Sequence, residues 1–323
     1  MGNQNTKKII HFLPARWFTV VVLIMIISCF PFTHLTAQEK IRKPAVAGYF
    51  YPKDRKELTK TVDDFISNVK HEQIAGKIFG IMSPHAGYDF SGQVAAYAYR
   101  HIKDTHYDTV ILLGPSHRVY LKGASVGNFD AYTTPLGKVK VNKEIVTSLL
   151  DIGEPFHFFE QAHIMEHSVE TQIPFLQRVL KQFDIVPIVM GPPSLEYCRK
   201  ISEALVGIVE KRNVLFVASS DMSHYPDYIN ANNVDRDTLS LIKKCDPNLV
   251  FSSEKKVCNK GIPNLSTTLC GLSSVVTVMM TAKQLGGNAV KILHYKNSGD
   301  IAIHGRRETR RVVGYGAVAF YKQ

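Results

Sequence analysis

Apolar positions in this chain come in short unbroken runs, separated by stretches in which polar residues take one face. Runs rich in β-branched residues occupy 78–82, 109–113, 185–190, 214–218, 290–293 and 312–321. Between them, 58–69, 92–102, 196–209, 234–244 and 271–285 repeat their apolar residues at helical spacing. A strand that is apolar at every position must be covered on both faces, and the alternating helices supply that cover. The pattern predicts an α/β fold, a three-layer α/β/α sandwich with a largely parallel or mixed central sheet. The stretch YTTPLGKVKV, 132–141, alternates instead, which predicts a hairpin or a partly exposed strand.

From Arg42 onward the chain has no repeat, low-complexity tract or long linker, so 38–323 reads as one domain. The first 37 residues stand apart. Lys7, Lys8 and Arg16 precede the apolar stretch 17–32, and no acidic residue occurs before Glu39. This is the plan of a secretory signal peptide, cut after Ala37, and it predicts an exported protein, periplasmic or extracytoplasmic. The apolar stretch is shorter than the roughly 20 residues a spanning helix needs. An uncleaved anchor and a lipoprotein leader processed at Cys29 are the alternatives, and only through them would the chain meet a membrane.

Composition changes this picture little. The 323 residues are 45% hydrophobic, ordinary for a globular chain with a sizeable core. The formal charge of +11 falls to +8 without the three basic residues of the leader. Apart from GRRETRR at 305–311, the basic residues are scattered, which argues against a nucleic-acid partner. Beyond the leader, Cys198, Cys245, Cys258 and Cys270 are too few for a disulfide framework. An oxidising compartment would allow one bridge, with Cys245 and Cys258 as the candidate pair.

The chemistry concentrates where predicted strands end. SPHAGYDFSG (83–92) follows one apolar run, GPSHR (114–118) ends another, and SSDMSHY (219–225) a third. Ligands of open α/β sheets bind beyond the carboxyl ends of the strands. Those ends deliver His85, His117, Asp221 and His224. His85 and His117 read either as two imidazole ligands of one metal or as residues bonding loop carbonyls. Asp221 with His224 reads as a carboxylate-oriented general base or as a helix cap beside a packed imidazole. In EHSVETQ (166–172), His167 and Glu170 are three apart, on one face of a helix if one forms there. That spacing suits a chelating pair or a surface pair. Cys270 falls at a predicted helix start, where unpaired amides favour the thiolate, although a lone cysteine also serves as a small buried hydrophobe. No phosphate-binding glycine loop, dinucleotide fingerprint or nucleophile elbow occurs.

Taken in order, KPAVAGYFYP, SPHAGYDFSG, LLGPSHRVYLKGASV, YTTPLGKVKV, EHSVETQIPF, SSDMSHY, LCG and GYGAVAFY resemble the Memo family. Its microbial members are often labelled AmmeMemoRadiSam system protein B. The similarity runs from about Arg42 to the C-terminus. That family resembles the class III extradiol dioxygenases, which implies a LigB-like α/β/α fold. The resemblance implies metal ligation by His85, His117 and Cys270, with Asp221 and His224 facing that site as acid and base. Tyr88, His167 and Glu170 would lie around the metal or against substrate. Some relatives carry histidine where this chain has Gln172, and no role is assigned there. The implied cofactor is one divalent metal, Fe(II) first, with copper or zinc as alternatives. The implied function is dioxygenase-like redox chemistry or metal binding, on an unidentified small molecule or peptide. The ring-cleaving enzymes complete two histidines with a carboxylate, and a thiol in that place is a departure. A zinc hydrolase and a non-catalytic metal- or peptide-binding protein are the other readings.

Overall fold

In the computed structural model, residues 1–2, 38–70, 73–209, 212–303 and 305–323 are described. Contacts divide the chain into Met1–Glu39 and Lys40–Gln323. Apart from Met1 and Gly2, the leader expected over 1–37 lies outside the described residues, Cys29 and Ala37 included. No described helix is long and apolar enough to cross a membrane.

Lys40–Gln323 opens with strand β1 (Ile41–Arg42), helix α1 (Arg55–Ser67), β2 (Lys77–Ser83), α2 (Tyr88–Arg100) and β3 (Thr109–Pro115). Next come β4 (Ala124–Val126), β5 (Ala131–Thr134), β6 (Gly137–Lys140), α3 (Lys143–Ile152), β7 (Phe156–His157) and α4 (Gln161–Ile164). A 3₁₀ turn, Glu170–Gln172, leads into α5 (Ile173–Val179), β8 (Asp184–Met190), α6 (Leu195–Val209) and β9 (Val214–Ser219). The chain closes with α7 (Tyr228–Lys243), α8 (Pro247–Cys258), α9 (Leu272–Gln284), β10 (Ala289–Asn297) and β11 (Gly314–Lys322).

Eight strands form one sheet in the order β10-β11-β2-β9-β3-β8-β4-β7. β2, β9, β3 and β8 are mutually parallel, while β11 runs antiparallel to β2 and β4 antiparallel to β8. The sheet is therefore mixed around a parallel centre. In β9 all six residues are buried, as an unbroken apolar run requires when both faces are covered. α1, α2 and α5 pack on one another and α2 on β2, β10 and β11; α6, α8 and α9 form a second group, with α9 on β2, β9 and β3. The three-layer expectation is met. YTTPLGKVKV forms the hairpin β5–β6, which pairs with β1 in a separate three-stranded sheet.

Helices α3, α4, α5 and α8 lie outside the predicted helical stretches, and α7 starts earlier than predicted. α7 begins six residues before the apolar repeat, because Asp227 caps it by accepting the Asn230 amide and the first turns are polar. α8 is started by Asp246 and Pro247 and has only two buried residues, Pro247 and Val250, too few for a period. The bridge considered between Cys245 and Cys258 does not form: Cys198, Cys245, Cys258 and Cys270 are all free thiols.

Behind the sheet end, fully buried His163 ties elements together. One ring nitrogen meets Ser125 Oγ and the other the Tyr132 hydroxyl, each at 2.9 Å. Burial, then the nearby Arg42 cation, lowers its pKa to about 3. The unfolded chain therefore binds the extra proton between about pH 6.5 and pH 3, so this contribution is full above pH 6.5 and fades as pH falls. His163→Gln should flatten the acid limb of stability by about one proton, roughly 1.4 kcal/mol per pH unit. Urea melts of metal-free protein between pH 7 and pH 4 check this; an unchanged slope contradicts it.

Candidate metal centre

Register brings the strand ends together. Ser83 of β2 pairs with Ser219 of β9, and Leu113 of β3 pairs with Ala218. The chain then turns out of β2 at His85, out of β3 at His117 and out of β9 at Asp221. Two glycines let the neighbouring loops close in. A Cβ on Gly114 would stand 2.5 Å from Ser168 Oγ, and one on Gly271 would stand 2.4 Å from the Ser219 carbonyl. The loop bearing His167 and the helix start bearing Cys270 can approach only because those side chains are missing.

His85, His117 and His167 each place a ring nitrogen within 4.8 Å of the other two, and His85 forms a second such set with Asp221 and Cys270. The rings of His117 and His167 stack at 4.4 Å, and His85 stands edge-on to both at 5.1 and 5.4 Å. His85 is buried, whereas the His117 side chain is 28% exposed and forms the open edge.

The hydrogen bonds fix where the protons sit. Ser219 Oγ donates its single proton to the Ser168 carbonyl at 2.6 Å and accepts from Gln172 Nε2 at 2.9 Å. It can only accept from His85 Nδ1, also at 2.9 Å, so Nδ1 carries the proton and Nε2 the lone pair. Glu166 does the same for His117. Its carboxylate takes His117 Nδ1 at 2.8 Å and the backbone amides of His117, His167 and Ser168 at 2.6, 3.0 and 2.9 Å. Burial would raise the Glu166 pKa, but the side-chain and backbone hydrogen bonds of His117 prevail and hold it at about 2. An ionised carboxylate only accepts, so His117 Nδ1 is a donor.

Burial lowers the His85 pKa, assisted by His117, and lowers that of His167 to about 3, assisted by His85 and His117. His167 Nδ1 lies 3.4 Å from Glu166 Oε1 but off the hydrogen-bond direction, and it makes no hydrogen bond. Buried neutral imidazoles with an unpartnered nitrogen fit a cation in their midst.

Cys270 Sγ lies 3.2 Å from His85 Nε2 and accepts the Asp221 amide at 3.2 Å. The predicted lowering of its pKa is reversed. Burial, then the Asp221 carboxylate, pushes the thiol up and outweighs the amides of the helix start. Asp221 accepts the backbone amides of His85 and Ala86 at 2.8 and 3.3 Å, and burial raises its pKa. No hydrogen bond joins Asp221 to His224 among the described residues. His224 Nε2 is buried without a partner, and its pKa is lowered by burial against the pull of Asp221.

Two expected neighbours sit elsewhere. His167 lies in a loop and Glu170 starts the 3₁₀ turn, so they share no helical face. Glu170 pairs with buried Arg42 and accepts the amides of Ala45 and Val46 and the Tyr51 hydroxyl. Arg42 also donates to the carbonyls of His163 and Glu166, which anchors the loop that carries His167. Tyr88 is buried among Tyr51, Phe65 and Phe175 and donates to the Thr171 carbonyl at 2.6 Å.

The sequence reading missed Glu166, Ser219 and Glu254, and left Gln172 without a role. Gln172 also accepts the Tyr99 hydroxyl at 2.7 Å and donates to the Pro84 carbonyl at 3.0 Å. Glu254 of α8 grips Thr267 and Thr268, just before Cys270, and the Thr267 carbonyl accepts the His224 amide. The weak signal for Glu166 was its place beside a histidine.

A family model described as "Memo-like protein" matches residues 42–319. A MEMO1 family protein of Nitrosopumilus maritimus is 35% identical, covering 87% of this chain and 99% of its own. Another, from Thermoplasma acidophilum, is 34% identical and covers 86% and 97%. The crystal structure of an uncharacterized Escherichia coli K12 protein aligns with a TM-score of 0.50 at 10% identity, over 75% of this chain and 99% of that one. This last likeness concerns the fold alone.

Glu166→Gln keeps the size of the side chain but turns an amide hydrogen toward groups that are all donors. It should weaken metal binding roughly 10–100-fold, the usual effect of losing such a ligand-orienting partner, with little change in circular dichroism. Metal titration checks this, and parental affinity in the variant would remove Glu166 from the account.

Proposed function

The chain belongs to the Memo family, and on that premise we propose that it holds one divalent metal ion at the carboxyl ends of β2, β3 and β9 and uses it in oxidation–reduction chemistry. The observation that carries this reading is the sharing of buried His85 between two donor sets, with Ser219 directing its Nε2 lone pair toward Cys270 Sγ. His85 and His117 are the two imidazole ligands. Cys270, 3.2 Å from His85 Nε2, is the third. His167, with its unpartnered nitrogen, is the donor that takes this place if the thiol does not.

The donor types suit Fe(II), copper and zinc; we propose Fe(II), since the family resembles oxygenases. A bound redox-active ion supplies Lewis-acid polarisation and one-electron exchange. The remaining work falls to the chain. Ser219 and Glu166 hold protons on the Nδ1 atoms of His85 and His117. Asp221 fixes the loop of His85 through two amides. His224, neutral and unpartnered at Nε2, is placed to take or give a proton. That last feature equally serves hydrolysis by a zinc site, which is the second reading. Export rests on the leader pattern and is part of the same proposal.

The test is elemental analysis of protein purified without chelator or nickel resin, together with oxygen uptake. One equivalent of iron, lost in His85→Ala, His117→Ala and Cys270→Ala with circular dichroism unchanged, is the expected result. Cys245→Ala and Cys258→Ala should keep it. Metal retained by His85→Ala or His117→Ala contradicts the site. Silent zinc without oxygen uptake moves the chemistry to hydrolysis. Loss in His167→Ala but not in Cys270→Ala replaces the thiol by the third imidazole.

A further inference from the structure

A cleft of about 380 Å³ opens against the exposed edge of the centre and includes both His117 and Cys270 in its lining. Val119, Tyr120, Met190, Pro192 and Pro193 give it apolar walls. Tyr120 is 82% exposed, a large ring standing over open space. No acidic side chain lines the cleft, and the one charged lining residue is Arg118, next to His117. Arg178 and Arg212 are paired with carboxylates on the surface, whereas Arg118 has no ion pair or side-chain hydrogen bond among the described residues.

From this lining we infer that the cleft takes a small organic carboxylate, its anionic end between Arg118 and the metal edge and its apolar body against Tyr120, Pro192 and Pro193. The inference names the ligand class of the site proposed above and rests on that reading for the metal contact. Three features select the class. A guanidinium presents a planar fork that matches the two oxygens of a carboxylate. Proline and tyrosine walls favour a compact apolar or aromatic body over a sugar or a nucleotide phosphate chain. The cleft volume admits a small molecule and lies at the low end of the range for such sites. Ser116 does not compete for the anion, since its hydroxyl donates to the Val119 carbonyl at 2.6 Å.

Isothermal titration of full-length, zinc-loaded protein with benzoate, benzyl alcohol and inorganic phosphate tests this, repeated with Arg118→Gln. Arg118 is no metal ligand, so the variant should load zinc as the parent does, which controls for folding. Benzoate should bind the parent at least tenfold more tightly than benzyl alcohol or phosphate do. Arg118→Gln should weaken benzoate roughly 10–100-fold, as loss of a charge-assisted pair does. Equal benzoate binding by parent and variant overturns the inference. Tighter binding of phosphate than of benzoate overturns the carboxylate class. If the chain takes up no metal, the same comparison on metal-free protein separates the two proposals. Benzoate binding that depends on Arg118 then sustains the cleft assignment while the metal site fails, and its absence sinks both.

Discussion

A carboxylate with no exposed surface has to be surrounded by donors, and Glu166 obtains four of them from three residues of two loops. An unpaired buried charge is among the most destabilising features a protein can carry, so the loops after β3 and α4 are held to one arrangement. That arrangement stacks His117 on His167 and leaves His117 with its proton on Nδ1. The candidate metal centre is thus a consequence of satisfying Glu166. The paired Arg42 and Glu170 act one step behind, since Arg42 binds the carbonyls on which the same loop hangs.

The sheet supplies the other half of the constraint. β9 lies between β2 and β3, so Ser219 at its end sits where it can hold the His85 ring while the β3 end brings in His117. Gly114 and Gly271 matter because they permit contact, not because they flex. Oriented imidazoles of this kind would need little rearrangement to coordinate a cation.

Much of this was legible in the chain. The parallel strands are apolar at nearly every position, and His85, His117 and Asp221 follow their ends directly, so placement of those residues needed only the rule for open sheets. Glu166 was not legible, because its donors are mostly backbone amides and its loop is fixed by Arg42, over a hundred positions earlier. His167 and Glu170 were spaced for a helix that the chain does not form there, and their side chains end up in different networks. For Cys270 the local rule pointed the wrong way. Helix-start amides favour a thiolate, but burial and the neighbouring Asp221 carboxylate favour the thiol. Distant packing outweighed the influence of the sequence neighbours.

The central claim is that Ser219 and Glu166 keep protons on the Nδ1 atoms of His85 and His117, so that both Nε2 lone pairs face a cation. Nitrogen-15 NMR of metal-free protein with labelled histidine, at pH 8 and above the ordinary imidazole range, reads this directly. The account predicts neutral Nδ1–H tautomers for both residues, with His117 shifting to the Nε2–H form or to exchange in Glu166→Ala. A parent protein in which either ring carries its proton on Nε2 contradicts it.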